Sequence, residues 1–166
     1  DILWDNHPSY CGRPGTVGNR TGNFAVQFSD CLIILGCRLN IRQVSYNWKS
    51  FAKNAWKCHI DVDNDELKKN TLSTDLKVHS SLKGFFPRLS VCLDELSREN
   101  KSFINKNDKQ DRWNSWRSWL KFNLVKYPVY NKKKGDNLHA VNPYKLIHVL
   151  TLNLEEGAHI VCADGT

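Results

Sequence analysis

Two arginines, Arg38 and Arg42, follow a short apolar run, CLIIL, that ends in Gly36. A cation beyond the carboxyl end of a buried strand is placed to meet a phosphate, and arginine does so with two parallel donors. The competing use of such an arginine is an ion pair with a local carboxylate. A second run, KCHIDVD, carries Asp61 and Asp63 towards its carboxyl end, where a carboxylate can accept a ribose hydroxyl or an adenine amino group. Asp63 has a second reading as a helix N-cap, with Glu66 closing a capping box three residues on. Upstream, Gly12, Gly15, Gly18 and Gly22 recur before a helical pattern. Their spacing does not match G-x-G-x-x-G, and the residues before them make a poor strand. Such glycines either let an anionic ligand approach a helix N-terminus or let the loop pack tightly. The local sequence leaves both open.

Other chemistries find no support in the residue pattern. The six histidines show no H-x-x-x-H or H-E-x-x-H spacing and no zinc spacing with cysteine. His59 and His148 fall within expected elements and read as packed or surface residues. No G-x-S-x-G elbow is present. The six cysteines form no C-x-x-C pair, and Cys31, Cys37, Cys58 and Cys162 lie in or beside apolar runs. They are expected to be buried and reduced. Trp113, Trp116 and Trp119 recur at helical spacing, which favours a core or interdomain contact over a base-stacking platform.

These residues need elements to hold them. The unbroken apolarity of CLIILG predicts a strand covered on both faces; KCHIDVD, LKVHS and HIVCADGT are expected as three more. Helical periodicity links Val17, Phe24 and Phe28, and again Phe85, Phe86, Leu89, Leu93 and Leu96, with Pro87 placed in the first turn. A third helix carries Trp113, Trp116, Leu120 and Leu124 and ends at Pro128. A fourth starts from Asn142 as N-cap with Pro143 at its first position, and stops at Gly157. Helices alternating with buried strands predict an α/β fold with a Rossmann-like parallel sheet flanked by helices. The polar segment 99–109 reads as a surface loop, and 129–140, with Lys132 to Lys134, as a linker.

Across 166 residues, 40% hydrophobic and 25% charged, the composition excludes wholesale disorder. No apolar run approaches the roughly 20 residues that span a bilayer. The opening DILWDNHPSY has neither a basic nor an apolar signal region, so a cytoplasmic protein is expected. The sequence contains no methionine, in keeping with a piece excised from a longer chain. The net charge of +7 is scattered, so neither a nucleic-acid nor a membrane partner is expected.

The order of the pieces is informative. HPSYCGRPGTVGNRTGNFAVQFSDCLIILGCRLNIR, then KCHIDVDNDELKKN, then LKVHSSLKGFF, resembles the central domain of thiamine-diphosphate-dependent enzymes, closest to the large subunit of acetolactate synthase. Gly12, Gly15, Thr16, Asn23, Ala25, Val26, Gln27, Asp30, Gly36, Arg38, His59, Asp61, Asp63 and Glu66 carry the likeness. It implies the DHS-like NAD/FAD-binding fold over residues 1–128, a linker over 129–140, and at 141–166 the start of a C-terminal diphosphate-binding domain. It further implies a parent that decarboxylates a 2-keto acid and transfers the resulting carbanion-like intermediate, as a transferase or lyase. That parent would use thiamine diphosphate and Mg²⁺ held mostly by N- and C-terminal domains outside this sequence, and would form a homo-oligomer. FAD, where bound, would be lined by Gly15 and Thr16, with Gly36 and Arg38 near its diphosphate or ribityl chain and Asp61 near the adenosine. Asp164, Gly165 and Thr166 would sit where the third domain begins to contact thiamine diphosphate. The family's G-x-R-F-D-D-R stands here as GCRLNIR, with Asn40 in place of an aspartate. The isolated chain is expected to be catalytically inert.

Two other classes make different demands. A sirtuin-like deacylase requires a zinc C-x-x-C pair and a histidine loop, which the sequence does not show. A basic nucleic-acid module requires strongly salt-dependent binding.

Overall fold

The computed structural model describes residues 3–99, 106–130 and 140–161. They fall into two compact units divided between Tyr127 and Pro128. In the first unit, α1 (Arg20–Gln27) leads into β1 (Cys31–Leu35). A short helix α2 (Ile41–Val44) and a 3-10 turn (Trp48–Ser50) lead to β2 (Trp56–Asp61). Then come α3 (Asn64–Lys68), β3 (Leu76–His79), α4 (Leu82–Glu99) and α5 (Lys106–Lys126).

The three strands form one parallel sheet in the order β1-β2-β3, with Ile33 beside Cys58 and Cys58 beside Leu76. This is the expected helix-flanked α/β arrangement, and β2 at its centre is buried from Lys57 to Asp61. Alternate residues of a strand point to opposite faces. On one face Leu32 packs against the cluster of Val44, Phe51, Ala52 and Ala55, which Val26, Leu39 and Leu72 complete. On the other face Ile33 is 57% exposed, with Trp56 and Leu76 also exposed. The expectation that β1 is covered on both faces is therefore corrected, because that cluster covers only the Leu32 face. The cysteine expectation changes for the same reason: Cys58 is buried, whereas Cys31 on the open face and Cys92 are exposed.

Helix α1 starts where Asn19 caps it, its side chain accepting from the Gly22 N–H. Phe24 and Phe28 pack their rings on Trp119 of α5, and Leu120 of α5 is 2% exposed. Burying one leucine contributes about 2 kcal/mol, and the ring contacts of Phe24 and Phe28 with Trp119 tie α1 to α5. Val17 lies before the helix and is exposed.

Helix α4 begins at Leu82, three residues before its first phenylalanine, so Pro87 lies inside the helix and not in its first turn. The ring removes one backbone donor and crowds the preceding turn. Most of the apolar stripe, from Phe86 to Leu96, is exposed.

The second unit holds α6 (Pro143–Leu152). Asn142 caps it through the N–H groups of Tyr144 and Lys145, with Pro143 at the start as expected. The helix ends at Leu152, not at Gly157, which sits with φ 83° in the next turn. The expected fourth strand is also corrected: His159 to Val161 are not in a strand. A strand needs a hydrogen-bonding neighbour, and the described residues of this unit contain no other. Residues 162–166 lie outside the described residues, as do 131–139 of the expected linker.

Candidate functional site

The carboxyl ends of the strands gather the charged residues. Gly36, with φ 54°, donates its N–H to Ile60 O at 2.8 Å and turns the chain across the end of β2. A non-glycine residue is costly in that left-handed conformation. The returning backbone brings Cys37 O within 3.0 Å of His59 Nε2, which donates to it. His59 is 4% exposed and lies 3.8 Å from Asp61 Oδ2. The other carboxylate oxygen of Asp61 accepts the Asp63 N–H at 2.8 Å. Both side chains share one face of β2 because they are two residues apart.

Asp63 is the N-cap of α3, accepting from the Asp65 N–H at 2.9 Å. The expected capping box does not form. Asp61 already satisfies the Asp63 N–H, and the largely buried carboxylate of Glu66 pairs with Lys69 and faces Arg38, 4.0 Å away. The Arg38 side chain is 74% exposed. Arg38, His59, Glu66, Lys69 and Thr74 line a crevice of about 10 Å³, room for a single water. Thr74 Oγ1 is buried there without a hydrogen-bond partner.

The glycine loop is closed on itself. Gly15, with φ 122°, donates to Asn23 Oδ1 at 2.8 Å, and Asn23 Nδ2 donates back to Gly15 O at 3.1 Å. Thr16 gives both its N–H and its hydroxyl to Arg42 O, at 2.7 and 3.2 Å. A Cβ on Gly18 would lie 2.2 Å from Arg13 O, and one on Gly22 would lie 2.4 Å from the Arg13 carbonyl carbon. Glycine is required at these two positions by the loop's own backbone.

Gly36, Arg38 and Asp61 thus meet at one end of the sheet, while Gly15 and Thr16 are tied to the neighbouring segment through Arg42. Asp164, Gly165 and Thr166 lie outside the described residues. Sequence reasoning underrated three residues. His59 supports Asp61 and the loop after β1, Glu66 faces Arg38, and Asn23 clamps Gly15. The alternation placing His59 two residues before Asp61 was the only signal for the first. Nothing local links Glu66 to Arg38 or Asn23 to Gly15.

Two implied groups can be weighed against these side chains. Among the described residues no group of three or more His, Cys, Asp or Glu could hold a metal ion. A diphosphate needs inward donors, yet the N–H groups of Gly15, Gly18 and Gly22 are spent on the loop and α1, and that of Thr16 on Arg42 O of α2. Asp61 spends one oxygen on the Asp63 N–H and lies beside His59, whose own ring N–H goes to Cys37 O, while Arg38 is exposed and faces Glu66. In this arrangement those four N–H groups are not free to cradle a flavin diphosphate.

Fold and site together define an α/β domain of the parallel-sheet class, and the sequence places it more narrowly. Residues 1–89 match the family described as "Thiamine pyrophosphate enzyme, central domain", and the chain belongs to that family. Its relatives carry a more specific name. It is 34% identical over 106 residues to a probable acetolactate synthase large subunit of Methanococcus aeolicus, covering 64% of this chain and 16% of that protein. Over 84 residues it is 39% identical to the acetolactate synthase large subunit of Lactococcus lactis, covering 51% of this chain and 14% of the relative. Identity is 32% over 157 residues to the chloroplastic acetolactate synthase 2 of Nicotiana tabacum, covering 92% of this chain and 20% of the relative. The chain thus spans about a sixth of the length of such relatives.

Proposed function

We propose that this chain is the central domain of an acetolactate synthase-like, thiamine-diphosphate-dependent 2-keto acid carboligase or decarboxylase, and that its part is structural. The observation behind this reading is the family match over a parallel sheet whose glycine loop spends its donors on α1 and α2. Thiamine diphosphate, with Mg²⁺, would supply the carbanion-stabilising chemistry from sites formed by N- and C-terminal domains of a longer chain. Asp164, Gly165 and Thr166 would stand at the edge of that site. This chain's residues position neighbouring domains and take no proton from substrate, so the chain is inert by itself. A homo-oligomer and a cytoplasmic setting belong to the same reading. Among the described residues no helix is long and apolar enough to cross a membrane.

A second reading rests on Arg38, whose exposed guanidinium stands where a ligand of an open α/β sheet would lie. In it FAD, or another nucleotide, binds with Gly15, Thr16, Gly36, Arg38 and Asp61 around it. Calorimetric titration of FAD, with ADP and NAD⁺ as comparators, separates the two. The structural reading expects no saturable FAD binding that Arg38→Ala removes. Saturable FAD binding weakened by that substitution would establish the flavin reading instead.

A further inference from the structure

At the opposite, amino ends of the strands, the segments entering β2 and β3 line an open cavity of about 440 Å³. That volume lies in the range of small-molecule sites, roughly 300–1,000 Å³. Its walls include Trp48, Lys49, Lys53, Lys57, Ser73 and Asp75. Lys57 is only 8% exposed, and its ammonium group makes one hydrogen bond, to Ala55 O at 3.0 Å. An ammonium group has three donors, and a buried charge is costly unless it is paired. Asp75 does not pair with it through the side chain; its Oδ2 accepts the Lys57 backbone N–H at 2.7 Å. Among the described residues, Lys49, Lys53 and Lys57 form no ion pair within 4.0 Å. Three lysines and one aspartate thus line the cavity, a surplus of two positive charges.

We propose that this cavity binds a phosphate group, either inorganic phosphate or a small phosphate ester whose apolar part rests on the Trp48 ring. Lysine recognises phosphate as a point charge from a flexible stem, and Lys57, fixed by burial, sets the position that Lys49 and Lys53 reach from the rim. The cavity shares Thr71 and Leu72 with the carboxyl-end crevice, but Arg38, His59 and Glu66 line only that crevice and Lys49, Lys53 and Lys57 only this one.

The test is calorimetric titration of the chain with inorganic phosphate and with phenyl phosphate at low salt. One saturable site is expected for phosphate, with Lys53→Ala weakening it about tenfold and Arg38→Ala leaving it unchanged. Tighter binding of phenyl phosphate, lost in Trp48→Ala, would assign the ester; equal binding would assign the free ion. Lys57→Met should abolish binding, and the exposed Lys53 carries the test if that variant fails to fold. The proposal is overturned if neither probe saturates, if Lys53→Ala has no effect, or if Arg38→Ala weakens binding as much. Binding of single-stranded RNA with steep salt dependence, in place of either small probe, would overturn it as well.

Discussion

Gly22 shows how tightly the loop before α1 is drawn. A Cβ there would lie 2.4 Å from the Arg13 carbonyl carbon and 2.7 Å from its nitrogen, so Gly22→Ala must push backbone apart. The expected cost is about 2 kcal/mol or more, read as a lower urea midpoint. Gly84→Ala is the control: its Cβ would meet Ser81 Oγ at an ordinary 3.4 Å. Inside α4 it should raise stability by up to about 1 kcal/mol. The thiols give a second prediction. Burial, reinforced by neighbouring Cys31, raises the pKa of the Cys58 thiol. A raised folded-state pKa disfavours the thiolate in the native chain. That contribution is complete below the unfolded thiol pKa of about 8.5 and is lost as pH rises through the higher folded value. The urea midpoint should therefore fall more steeply above about pH 8.5 in the native chain than in Cys58→Val. Equal slopes would remove Cys58 from the account. At this scale the sequence was readable only where partners are close. Asp63 capping α3 follows from a contact two residues away, whereas the contact of Arg38 with Glu66 and the clamp of Asn23 on Gly15 depend on the fold.

Among the elements, β2 is fixed by burial and α4 is not. Ile60 has no exposed surface, so Ile60→Ala should cost about 2–5 kcal/mol. Leu93, 53% exposed on α4, should change stability by no more than about 0.5 kcal/mol when replaced by alanine. Chemical denaturation of the two variants checks both values, and equal losses would mean that α4 is packed. The helix start at Asn142 was legible because a cap is a local bond, whereas Asn19 caps α1 two residues after Val17, where the helical pattern was expected to run. The start of α4 was missed although a local signal stands there: Ser81 caps the helix, its Oγ accepting the Gly84 N–H at 3.2 Å, while Pro87 suggested a beginning that lies a turn too late. β1 misled for a related reason: an apolar run shows that a strand can be covered on both faces, not that anything covers it.

For the whole molecule, the parallel sheet and the family were legible because several separated segments agree in order, each weak by itself. The role of the glycine loop was not, since a ligand cradle and a packed turn ask for the same residue; only the hydrogen bonds of Gly15 and Thr16 and the close approach at Gly22 distinguish them. A scaffold role predicts that the matched segment can serve inside a related enzyme. The most direct measurement replaces the matching segment of the Lactococcus lactis acetolactate synthase large subunit with that of this chain and assays acetolactate formation with thiamine diphosphate and Mg²⁺. The account predicts that the folded chimera forms acetolactate, while this chain by itself forms none. A chimera that folds and assembles but forms no acetolactate, or activity from the isolated chain, would contradict it.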